Sequence, residues 1–138
     1  MSTTLSPIYP ASHAIDGNTA SLAATEELRK SDQWISVEFE TTTRIGKVEV
    51  YNREDGPPFE NWLSPYEVWL GNSFGAQTYS CSGGLIMLDD LPGIGPFGTD
   101  CGNITLTQNL SFVSIVIGGG NSTSPRYLTI GEIKAYEN

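Results

Sequence analysis

Apolar and polar side chains alternate with a period of two along most of this chain, a pattern that half-buried strands require and helices cannot use. Ile35, Val37 and Phe39 point one way while Ser36, Glu38 and Glu40 point the other. Val48 and Val50 alternate with Lys47 and Glu49, and Tyr66, Val68 and Leu70 with Glu67 and Trp69. Ile104 and Leu106 continue the series, followed by Val113, Ile115 and Ile117. The last strand carries a fault: Leu128 and Ile130 are apolar at even positions, then Ile133 and Ala135 at odd ones. One extra residue at Gly131-Glu132 is the mark of a β-bulge. The only helix-like stretch, Ala23 to Lys30, opens on Thr25-Glu-Glu-Leu, which can cap a single turn, and reads as a loop with a helical turn. Long connections from Asp55 to Ser64, Gly71 to Asp100 and Gly118 to Arg126 are rich in Gly or Pro. Six or more short strands joined in this way predict an all-β fold, a two-sheet jelly-roll sandwich.

With 138 residues the chain has the material for one domain, expected over 1–138. Sixteen acidic against seven basic residues give a net charge of -9, the wrong sign for gripping a phosphate backbone or an anionic membrane. The longest apolar stretches, such as Phe112 to Ile117, have strand length, so membrane insertion through a helix is not expected. Cys81 and Cys101 are too few for a thiolate zinc site. They either form one disulfide closing a loop of about 20 residues or remain two buried thiols. Acceptor sequences for glycosylation at Asn103-Ile-Thr, Asn109-Leu-Ser and Asn121-Ser-Thr agree with a secreted or cell-surface location. The opening Met-Ser-Thr-Thr-Leu has no charged or apolar leader segment, so an excised extracellular domain with an added start Met is expected.

The segment His13-Ala-Ile-Asp16-Gly-Asn18-Thr-Ala-Ser21 places a carboxylate and an amide two residues apart around a tight Gly turn. Both are hard oxygen donors of the kind Ca2+ prefers, although an Asx turn bonded to its own backbone would use the same residues. Glu132 falls where the final strand loses register, and a carboxylate buried there needs a partner. Asp16, Asn18 and Glu132 together would offer one cation two negative charges.

Five blocks in order carry a resemblance to a known family. They are Ala14-Ile-Asp-Gly-Asn18, Gln33-Trp34-Ile-Ser-Val37-Glu-Phe39, Lys47-Val-Glu-Val-Tyr-Asn-Arg53, Tyr66-Glu-Val68 and Tyr127-Leu-Thr-Ile-Gly-Glu-Ile-Lys-Ala-Tyr136. The chain resembles discoidin-like, galactose-binding-like β-sandwich domains over nearly its whole length. Within them, Asn52-Arg53-Glu54-Asp55 is similar to the Asn-Arg-x-Asp segment of F-type, fucose-binding lectins. The resemblance implies a structural Ca2+ held by the carbonyls of His13, Ser21 and Gly131 and the side chains of Asp16, Asn18 and Glu132. It also implies a disulfide between Cys81 and Cys101, and a shallow sugar site on loops elsewhere.

The fucose motif is incomplete. Arg53 and Asp55 match, but Glu26 or a close neighbour stands in place of the family's His, and Glu60 in place of its second basic residue. Arg53 and Asp55 can still bind vicinal hydroxyls, and Phe59 and Trp62 can stack on a sugar C–H face. The expected carbohydrate-binding residues are therefore Glu26, Arg53, Asp55, Phe59 and Trp62. No nucleophile elbow, phosphate loop or His cluster is present, and Asp89-Asp90 are adjacent where a glycosidase pair must straddle a bond. A calcium-stabilised lectin-like module for terminal sugars on a glycan or glycoprotein is expected, not an enzyme, in an oligomer or a tandem array. The rival is an extracellular adhesion or structural domain that presents the same loops to a protein.

Overall fold

The computed structural model describes residues 11–18, 21–27, 33–39, 45–54, 63–88, 95–102, 110–117 and 127–137. The chain is all-β, as the alternation predicts. A short 3-10 helix, Ala11–Ile15, leads into β1 (Ala23–Glu27), β2 (Gln33–Glu38), β3 (Ile45–Tyr51), β4 (Glu67–Gly71) and β5 (Tyr79–Ser80). Then follow β6 (Phe97–Asp100), β7 (Phe112–Ile117), β8 (Tyr127–Ile130) and β9 (Glu132–Glu137). They form a four-stranded sheet β2-β7-β4-β5, a three-stranded sheet β6-β3-β9 and a pair β1-β8, with every ladder antiparallel.

The inward residues of these sheets meet in one buried cluster. Ile35, Val37, Val68, Leu70, Val113, Ile115 and Ile117 come from the four-stranded sheet, and Val48, Val50 and Ile133 from the three-stranded one. These are the residues that the period-two reading assigns to the inner face. Ser36 points away from this core, as expected, but is buried: the Ser114 hydroxyl donates to its oxygen at 2.9 Å across β2 and β7.

Three expectations change. Ala23 to Glu27 is a strand, not a helical turn: Ala23, Ala24 and Thr25 are fully buried, and the Thr25 hydroxyl oxygen accepts the Leu128 N–H at 3.1 Å. Pairing with β8 overrides the weak local preference of Ala-Ala-Thr-Glu-Glu for a helix. The long Gly71 to Asp100 connection holds β5 and β6, too short or too Gly-containing to show alternation. The fault at Gly131 is more than a bulge, because the chain changes sheets there: β8 pairs with β1 while β9 pairs with β3. The expected strand at Ile104 and Leu106, and the acceptor residues Asn103, Asn109 and Asn121, lie outside the described residues.

Cys81 and Cys101 form a disulfide, 20 residues apart in sequence. Cys81 follows β5 and Cys101 follows β6, so the bond ties an edge of the four-stranded sheet to an edge of the three-stranded one. No helix among the described residues is long and apolar enough to cross a membrane.

Candidate functional site

The turn after the 3-10 helix is fixed by its own polar groups. Ala14 is fully buried and anchors the helix, after which Gly17 takes φ +75°, a conformation that suits glycine. One Asp16 oxygen accepts the Asn18 N–H at 2.9 Å, and the other accepts the Ser21 hydroxyl at 2.6 Å. The Ser21 N–H donates to the Asn18 carbonyl at 3.2 Å, and the His13 ring Nδ1 lies 3.1 Å from the Leu22 carbonyl. The Ser21 hydroxyl, then the Asn18 N–H, then the nearby His13 hold the Asp16 carboxyl below its ordinary range. The Asx turn anticipated from sequence is therefore present. It aligns Asp16, Asn18 and Ser21 on one loop.

Glu132 approaches this loop from the other end of the chain. The Gly131 N–H donates to the Tyr51 carbonyl at 2.8 Å, and Glu132 pairs with Tyr51 in the β3–β9 ladder. The Glu132 side chain leaves β9 on the face opposite the core residue Ile133, beside Gly17 and Asp16 of the loop, where it is 2% exposed and neither carboxylate oxygen has a hydrogen-bond partner. Burial, and after it the Asp16 charge, push its carboxyl above the ordinary range. An orphaned buried carboxylate is costly unless something pairs with it. A shallow pocket of about 300 Å³, lined among others by Ile15, Gly17, Glu132 and Tyr136, adjoins the loop.

This arrangement fits a hard cation. Among the described residues no three His, Cys, Asp or Glu side chains gather as metal ligands. A cation at the loop would instead draw on two carboxylates together with amide and carbonyl oxygens, a set suited to Ca2+ rather than to a softer ion. Tyr51 is a member of the arrangement that sequence reading missed. Its carbonyl anchors the sheet change, which no side-chain pattern can report.

The expected sugar-binding residues are described only in part. Arg53 stands two residues past the end of β3, partly buried, with its N–H donating to the Asn52 side-chain oxygen at 2.9 Å. Asn52 itself is fully buried, which fixes the direction in which the chain leaves the sheet. Glu26 lies in β1. Asp55, Phe59 and Trp62 lie outside the described residues.

Residues 13–82, from the His13 turn to the residue after Cys81, match the family described as the NedA-like, galactose-binding domain. Comparison with curated proteins by sequence gives no match. Among solved structures, the lectin domain of lectinolysin, complexed with Lewis B antigen, superposes with a TM-score of 0.70 at 25% identity, over 99% of this chain and 89% of that one. A fucolectin from the serum of striped bass, Morone saxatilis, superposes with a TM-score of 0.74 at 26% identity, over 97% of this chain and 43% of that one. The family 32 carbohydrate-binding module of NanJ from C. perfringens, complexed with galactose, shares the fold at 17% identity with a TM-score of 0.67, over 98% and 90% of the two chains. These neighbours are carbohydrate-binding modules, not catalytic domains.

Proposed function

Because this chain belongs to the NedA-like, galactose-binding domain family of discoidin-like β-sandwiches, we propose that it is a lectin-like module that binds terminal sugar residues and leaves them chemically unchanged. The observation that carries this reading is the near full-length match, at 25% identity, to a lectin domain in complex with Lewis B antigen. Arg53 and the loop that follows it are the proposed recognition surface. Its guanidinium donates to vicinal hydroxyls, Asp55 and Glu26 accept from them, and Phe59 and Trp62 cover the apolar face of the ring. With Glu60 in place of a base, free fucose is expected to bind weakly. A secreted or cell-surface setting suits this chemistry, and clustering in oligomers or tandem copies would turn weak single sites into useful avidity.

A structural Ca2+ belongs to the same proposal. The unpartnered Glu132 carboxylate beside the Asp16 loop supports it. Asp16, Asn18 and Glu132 would hold the ion by side chain, and His13, Ser21 and Gly131 by carbonyl. It would neutralise two carboxylates and lock the sheet change to the loop.

A glycan array probed with and without chelator tests both parts. Arg53→Ala is expected to weaken glycan binding by about one to two decades, the loss of a charged hydrogen-bond donor, with the melting temperature nearly unchanged. Wild-type binding by that variant would remove Arg53 from the site. Excess EDTA is expected to lower the melting temperature in the wild type and not in Asp16→Ala. An EDTA-insensitive melt with no metal in the purified protein would dismiss the ion.

A further inference from the structure

Phe74 is one of the few large apolar side chains left exposed among the described residues, at 61%, and the chain around it is built to hold it there. β4 ends at Gly71, where a Cβ would lie 2.6 Å from the Ala76 carbonyl oxygen, so the loop can double back only over glycine. Gly75 has φ +78°, and a Cβ there would lie 2.7 Å from the Trp34 ring. The Ala76 N–H donates to the Ser73 carbonyl at 3.1 Å and closes the turn. At its apex the Phe74 ring meets Phe112 edge to face, with centroids 4.9 Å apart and planes at 81°. The ring is thus pre-positioned, and its ordering entropy is already lost before any ligand arrives.

Beside it lies a pocket of about 240 Å³, lined by Ser12, Ile15, Ser36, Val37, Glu38 and Phe74. Drug-sized ligands use sites of ~300–1,000 Å³, so this one suits a single ring. Its chemistry is mixed in a specific way: an aromatic ring and the Ile15 side chain for an apolar surface, and a carboxylate and hydroxyls for hydrogen-bond donors. A pyranose presents both, with a C–H face for Phe74 and vicinal hydroxyls for Glu38 and Ser12. The Glu38 charge disfavours uronic and sialic acids and leaves neutral sugars.

The ladder sets this pocket apart from the strand end at which the chain returns to the sheet after Arg53. Glu38 and Gly71 both pair with Phe112, at the end where β2 and β4 stop and β7 begins. The chain that follows Arg53 enters β4 at the opposite end, at Glu67 paired with Val116. Four strand residues, about 13 Å, lie between the two ends.

We propose that the Phe74 pocket is a second saccharide-binding site, which takes the apolar face of one neutral pyranose independently of the Arg53 loop. Titration of 15N-labelled protein with the methyl glycosides of galactose, fucose and N-acetylglucosamine tests it by the movement of backbone amides. At least one sugar is expected to move Glu38, Phe74 and Gly75 saturably. Phe74→Ala should weaken that response about tenfold, Glu38→Ala should weaken it too, and it should persist in Arg53→Ala. Both altered side chains at the pocket are exposed, so unchanged melting temperatures verify that the variants are folded. Absence of saturable shifts at these amides with all three sugars overturns the second site, as does a response unchanged in Phe74→Ala or abolished by Arg53→Ala. Failure of the Arg53 site alone would remove only the shifts around that loop.

Discussion

Glu132 is the residue at which sequence, packing and chemistry meet. The change in apolar parity around Gly131 announced it, and the structure explains the change as a switch of sheets that turns Ile133 to the core and leaves Glu132 on the other face, beside the Asp16 loop. Its raised carboxyl pKa has a testable sign in calcium-free protein. A carboxyl that is more basic when folded binds extra protons in the native state, so stability falls as pH rises from about 4.5 through the folded-state value. Asp16 works the other way in a lower window: its depressed pKa means that stability is gained as pH rises toward 3.8. Thermal melts in EDTA should therefore show the melting temperature declining above pH 4.5, and Glu132→Gln should flatten that decline. Added Ca2+ should abolish the decline, since a cation favours the ionised carboxylate. An identical pH profile in Glu132→Gln would mean that another group sets it. Phe74, by contrast, was illegible in the sequence, because exposure of one aromatic side chain is a property of how a loop folds back, not of spacing.

Among the strands, the legible ones are those whose inner face repeats over at least two apolar positions, as β3, β8 and β9 also do. β2, β4 and β7 expose this pattern directly, whereas β1 hides it behind two alanines and two glutamates, and β5 and β6 are too short to repeat anything. Short edge elements gain their stability from neighbours, so local sequence carries little of it. The turn after β4 makes the same point and can be measured. Gly75→Ala must adopt a φ of +78° and also push its methyl group toward the Trp34 ring. Gly83→Ala meets a similar φ of +65° with nothing within 4 Å, so it isolates the backbone cost of about 1–3 kcal/mol. Urea melts should find Gly75→Ala the less stable of the two by a clear margin. Equal midpoints would show that the Trp34 contact gives way freely and that the Phe74 loop is not rigidly mounted.

At the scale of the whole molecule, the two larger sheets are joined along one side by a covalent bond. β5 and β6 are edge strands of different sheets, and the disulfide after them links those edges. Backbone contacts hold each end in register: the Cys81 N–H donates to the Val68 carbonyl and the Cys101 N–H to the Gly46 carbonyl, both at 2.9 Å. Cys101 is only 1% exposed, so that end of the bond is part of the core rather than a surface staple. Within the chain-entropy account, a loop of 20 residues contributes about 3 kcal/mol by restricting the unfolded state. For a chain of this length that corresponds to a melting temperature lower by about 10 °C when both cysteines are replaced by alanine. The double variant is the right comparison, since a single replacement would leave a lone thiol free to cross-link molecules. Because each sheet keeps its own ladders and shared core, the variant should retain the β-sheet circular dichroism of the wild type below its transition. A melting temperature unchanged from wild type would show that core packing alone holds the two edges together, while loss of folded structure at low temperature would show that the core cannot close the sandwich without the bond.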